Sequence, residues 1–217
     1  MASTNGMKMF VNGLLISTAI LMFAGFGTAQ SSTQDAATRE YKRLVNLSAV
    51  LRKITGNNHD KEPYRSLLKR NDKDIVYSDP SGEWYVVSRR FWDLEKKYRK
   101  LAIADRIAWS AAENPLPGEC EGYVPCYLGA IRRTHGEYLK RYPRGRYSKK
   151  AVGRMIKSLQ YLVDDAASRK KNHDGPAEDD VEFAELINAL VGILKPVPHG
   201  EKKIALSHLK TIESAYK

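Results

Sequence analysis

The chain has 217 residues, 42% hydrophobic and 28% charged, which is enough for one domain with a real core or two very small ones. This composition excludes a collagenous or wholly disordered chain. Lys and Arg outnumber Asp and Glu by 36 to 25, for a formal net charge of +11, a surplus that draws a protein to anionic surfaces and also keeps it soluble.

Residues 1–29 contain no Asp or Glu and a single basic residue, Lys8, followed by the apolar run Leu14 to Phe26. Gly27-Thr28-Ala29 then supplies the small residues a signal peptidase needs, so cleavage is expected before Gln30. The alternative is an uncleaved N-terminal membrane anchor, although the apolar heart is short of the ~20 residues that a spanning helix needs. Residues 30–38 are small and polar and read as a flexible lead.

From Arg39 onward, Leu44, Leu47, Leu51 and Ile54 follow one helix face, and Gly56 is placed to end it. After a polar stretch with at most a short helix at Tyr64 to Leu68, residues 74–87 read as a β-hairpin around Asp79-Pro80-Ser81-Gly82. Ile75, Tyr77, Trp84 and Val86 would form its packed face. Ser88 is the expected N-cap of a helix carrying Phe91, Leu94, Tyr98 and Leu101, and an alanine-rich helix follows from Ala104 to Asn114.

Both cysteines of the chain lie in the loop Pro117 to Cys126. In an exported protein, Cys120 and Cys126 most economically form a disulfide that ties a helix connection. A metal site that recruits Glu119, Glu121 or His135 is the sharper reading. The second Cys/His pair that zinc sites usually carry is missing, so neither a metal nor another cofactor is expected.

The next helix presents Leu128, Ile131, His135, Tyr138 and Tyr142 on one face and stops at Pro143. Ser148 is the expected cap of the helix after it, whose stripe Val152, Met155, Ile156, Leu159, Leu162 and Val163 is the clearest amphipathic pattern in the chain. Residues 169–180 read as a charged linker. Residues 181–217 read as a C-terminal helical hairpin with Phe183, Ile187, Leu190, Val191 and Leu194 on its first helix and Ala205, Leu209, Ile212 and Tyr216 on its second.

The run Glu137 to Tyr147, with Ala151 after it, resembles the helix-ending signature of tetratricopeptide-like repeats in bacterial envelope proteins: an aromatic-proline pair, then a small residue and an alanine. The family's spacing of four falls here on Ile131, His135, Leu139 and Pro143, and Gly153 matches the glycine of a following helix. The resemblance implies stacked helix pairs that bind partners on a concave face. The expected fold is mainly α: tetratricopeptide-like helical hairpins over 39–168 with one short β-hairpin.

The strongest functional signal is electrostatic. Between Arg132 and Lys157 stand ten Lys or Arg residues against the single carboxylate Glu137. Arg132, Arg133, Lys140, Arg141, Arg144, Arg146, Lys149 and Lys150 form the candidate basic patch, with a solvated outer face as the plain alternative. Export argues against intracellular nucleic acid as the target.

These features point to a non-catalytic, secreted or periplasmic scaffold or adapter that binds a protein partner in the cell envelope. A hydrolase of envelope polymer using Glu119 or Glu121 is the second class. Simple adhesion to anionic polymer or lipid headgroups is the third. His135 is expected to be a hydrogen-bonded core histidine, because no paired base is evident in the sequence.

Overall fold

Apolar residues at helical spacing build nearly every element of the computed structural model, which describes residues 21–168 and 177–216. It is mainly helical, with one small two-stranded antiparallel sheet. The chain divides into two compact units, residues 1–36 and 37–217. Of the first unit, residues 21–36 are described, as the opening turns of helix α1, Leu21–Leu51.

The expected signal peptide therefore falls largely outside the described residues. Residues 30–38 do not form a flexible lead: they are helical, and Ala37 is fully buried. Alanine has the highest helix propensity, and the polar residues beside it are tolerated on an exposed face. Among the described residues, no helix is long and apolar enough to cross a membrane.

In the second unit, Leu44, Leu47, Leu51 and Ile54 are buried as one stripe, and the chain leaves the helix before Gly56, which takes a positive φ of 53°. Helix α2 (Tyr64–Arg70) is short, and the hairpin follows as β1 (Ile75–Ser78) and β2 (Glu83–Val86). The register pairs Ile75 with Val86 and Tyr77 with Trp84, so the expected apolar face does form. Ile75 and Val86 are buried, whereas Tyr77, at the hairpin tip, is 43% exposed.

Two apolar clusters share helix α4 (Ala104–Ala112) as a wall. Ile107 and Ala111 belong to the cluster that includes α1, the hairpin and helix α3 (Ser88–Lys97). Ala108 and Ala112 belong to the other. Each of these residues is 0% exposed, and the small alanine side chains let neighbouring elements approach on two faces at once. Ser88 is not the N-cap of α3. Its hydroxyl donates to the Ala111 carbonyl at 3.0 Å and so ties α3 to α4.

The second cluster is built by α5 (Val124–Ile131), a π-helical turn (Arg132–Gly136), α6 (Glu137–Arg141), α7 (Ser148–Ser168), α8 (Ala177–Leu194) and α9 (Lys202–Tyr216). The wider π turn advances the helix face by about one residue. Beyond it Leu139, four residues after His135, is buried together with Tyr138.

The expected linker 169–180 lies outside the described residues as far as 176, and 177–180 already form the start of α8. Leu186, Leu190 and Leu194 of α8 and Leu209 and Ile212 of α9 are 5% exposed or less and share one core with Met155, Leu159 and Leu162 of α7. Each such leucine withdrawn from water contributes about 1.5–3 kcal/mol. That scale of burial docks the C-terminal hairpin.

The turn from α6 to α7 requires a glycine. A Cβ on Gly145 would stand 2.6 Å from the Tyr138 hydroxyl, 2.7 Å from Tyr142 Cβ and 2.9 Å from Asp105 Oδ1. Ser148 is not a helix cap here either: its hydroxyl donates to the Gly145 carbonyl at 2.8 Å and meets His199 Nε2 at 2.7 Å. Gly145→Ala is expected to cost about 1–3 kcal/mol in chemical denaturation. Gly153→Ala, at an exposed α7 position with nothing within 4 Å of the added carbon, should instead gain up to ~1 kcal/mol. Equal shifts in the two variants would remove the close-approach explanation.

Candidate functional site

Cys120 and Cys126 are joined, with their Cα atoms 5.6 Å apart, so the loop before α5 is a covalently tied turn and neither sulfur is available to a metal. Its tip, Glu121-Gly122, takes positive φ at both residues (45° and 85°), and the Tyr123 N–H closes the turn on the Cys120 carbonyl at 2.6 Å. Tyr123 also donates to Glu182 of α8 at 3.2 Å. Glu119 and Glu121 both face solvent in this loop. Among the described residues, no group of three His, Cys, Asp or Glu side chains could hold a metal ion.

The basic residues separate into two groups. Arg141 is built into the interior: it donates to Glu95 at 2.5 Å and to Glu137 at 2.6 Å, and its guanidinium lies 4.7 Å from the centre of the Trp92 ring. Lys149 pairs with Glu201 at 2.9 Å. By contrast, Arg132, Arg133, Lys140, Arg144, Arg146 and Lys150 are exposed and have no carboxylate partner among the described residues. Arg133 folds back over Gly129, and the Arg146 guanidinium lies 6.0 Å from the centre of the Tyr147 ring.

Several carboxylates that sequence reasoning missed hold this junction rigid. The Glu95 side chain is completely buried on α3, and its oxygens accept from Arg99 at 3.0 and 3.2 Å, from Tyr142 at 2.8 Å and from Arg141. Burial opposes ionisation of Glu95, but the Arg99, Tyr142 and Arg141 donors outweigh it and hold the carboxyl below the usual range. Asp105 Oδ1 accepts from the Tyr138 hydroxyl at 2.5 Å, while Oδ2 accepts the Arg146 N–H at 2.7 Å. Burial, followed by the bond to Asp105, pushes the Tyr138 phenol far up, and burial with the Glu95 bond does the same to Tyr142. A signal for Glu95 was present in the sequence, since it sits four residues after Phe91 and three before Tyr98, on the buried stripe of its helix.

His135 lies on the π turn. Its partner is Glu113, just past α4: His135 Nε2 and Glu113 Oε1 are 2.8 Å apart, and Arg154 of α7 meets Glu113 Oε2 at 2.9 Å. Burial depresses the His135 pKa below its ordinary value even though Glu113 pulls the other way. Burial likewise works against the Glu113 charge, but the bonds from His135 and Arg154 keep its carboxyl below the usual range. Trp109 stacks on Tyr147 at 5.2 Å and reaches the His135 ring at 5.8 Å. As the sequence suggested, His135 is a hydrogen-bonded histidine at the edge of the core.

Beside His135, a groove of about 420 Å³ opens between the α5–π segment and α7. Pro115, Tyr127, Ile131 and Tyr161 supply apolar and aromatic walls, and Lys157 and His135 are its nitrogen-bearing side chains. The basic junction and this groove are two candidate binding features among the described residues. Comparison of the chain with family models, with curated proteins and with solved structures finds no match.

Glu95 links acid sensitivity to the fold. A carboxyl held below its unfolded pKa contributes stability that is fully present above the unfolded value and is lost as pH falls through the folded value. Glu95→Gln is expected to cost about 3 kcal/mol at pH 7, because it leaves Arg141 and Arg99 against a neutral amide. The cost should shrink as the pH is lowered below the ordinary carboxylate range. Urea melts of both proteins from pH 7 to pH 3 measure this, and a pH-independent difference would show that the charge of Glu95 is not what matters.

Proposed function

We propose that the chain is an exported, non-catalytic helical adapter that binds a protein partner in the cell envelope through the basic junction between α6 and α7. The observation that carries this reading is the set of exposed cations whose side chains have no carboxylate partner among the described residues, Arg132, Arg133, Lys140, Arg144, Arg146 and Lys150, set around a junction that the carboxylates of Glu95 and Asp105 hold in place. Charges on a rigid mount lose little further entropy on binding and can steer an acidic partner. The resemblance of residues 137–151 to a tetratricopeptide-like helix ending adds a helix pair of the kind that presents partner-binding faces. The Cys120–Cys126 bond and the apolar run at 14–26 support an oxidising, extracytoplasmic setting, reached by signal-peptide cleavage before Gln30.

Reversing Arg132, Arg133, Arg144 and Arg146 to Glu tests the proposal by co-purification from envelope fractions at low salt. Partner capture should be lost while the far-UV circular dichroism and melting temperature stay near the parent values. Capture that survives the reversal would refute the reading. Capture that falls with added salt in the parent protein alone would support it.

A further inference from the structure

The groove beside His135 is distinct from the exposed cations of the junction, and its chemistry is specific. Its α7 wall is set by Lys157 and Tyr161, four residues and roughly 6 Å of helix apart. The opposite wall, Tyr127 to His135, spans roughly 12 Å. These dimensions suit a compact ligand better than a long peptide, and about 420 Å³ lies within the range of small-molecule sites. Pro115, Tyr127, Ile131 and Tyr161 offer an apolar and aromatic body, with the Tyr127 and Tyr161 ring centres 5.7 Å apart.

Charge then selects the other end of the ligand. No Asp or Glu lines the groove among the described residues, and Lys157 has no ion-pair partner among them. Glu113, which contacts the lining residue His135, has one oxygen bound to His135 and the other to Arg154, so it is occupied on both sides. The Ser158 and Thr134 hydroxyls also border the space.

We infer that this groove binds a small hydrophobic carboxylate, with the aromatic or alkyl body against Tyr127, Ile131 and Tyr161 and the carboxylate on the Lys157 ammonium. A charge-assisted bond of this kind discriminates an acid from its amide by about tenfold.

Isothermal titration of the protein with 4-phenylbutanoate and with the matched neutral 4-phenylbutanamide tests the site. The acid should bind at least about tenfold more tightly. Lys157→Met, which keeps an apolar stem at an exposed position, should erase that preference while leaving the amide unchanged. Tyr161→Ser should weaken both ligands. Arg144→Glu, which lies outside the groove, should alter neither, so failure here is separable from failure of the adapter reading. Equal binding of acid and amide, a preference that persists in Lys157→Met, or no binding of either probe at millimolar concentration would overturn the inference.

Discussion

Everything at the centre of this molecule depends on making a buried negative charge tolerable. The Glu95 carboxylate has no access to water, and an unpaired charge in that position would cost several kcal/mol. Its oxygens are instead occupied by donors from three residues, two of them guanidinium groups. Because Arg141 and Tyr142 come from the end of α6 while Glu95 and Arg99 come from α3 and the turn after it, satisfying the charge also fixes where α6 ends. The carboxylate is a positional constraint more than a source of net stability, since ion pairs of this kind roughly offset their own desolvation.

Asp105, on the next helix, extends the same logic. Its two oxygens receive the Tyr138 hydroxyl and the Arg146 backbone N–H, and Tyr138 in turn accepts the Tyr147 N–H at 3.0 Å. The loop Tyr142 to Ser148 is thereby bound to α4 through backbone groups that would otherwise need water. The close passage at Gly145 follows from this, and so does the starting point of α7. Since α7 packs against α9 and, with α5, flanks the groove, the geometry of the C-terminal half is handed on from these two carboxylates.

The same networks divide the basic residues by role. Arg141 is paired with the buried Glu95 and Lys149 with Glu201 at the surface, whereas the cations on the π turn and around Arg144 to Arg146 are left to solvent. Charge counting along the sequence cannot make this division, because the neutralising groups Glu95 and Glu201 lie 46 and 52 positions from their partners. Glu113 shows the same effect: it lies 22 positions from His135, which made the histidine look unpaired in the sequence.

The sequence by itself determined the features that rest on local physics. Period 3.6 in Leu44 to Ile54 and in Val152 to Val163 marked the helices, Pro143 and Gly56 marked their ends, Asp79 to Gly82 marked the hairpin, and the spacing of Cys120 and Cys126 marked the tied loop. Only the tertiary structure decided what depends on pairing across long separations. It placed Ser88 and Ser148 in contacts between segments in place of caps, inserted a π turn at Arg132–Gly136, extended α1 through residues 30–38, and brought α8 and α9 onto α7. It also set Lys157 and His135 against an aromatic groove. Such outcomes follow from which neighbour satisfies a buried polar group or covers an apolar face, and sequence periodicity carries no record of the neighbour.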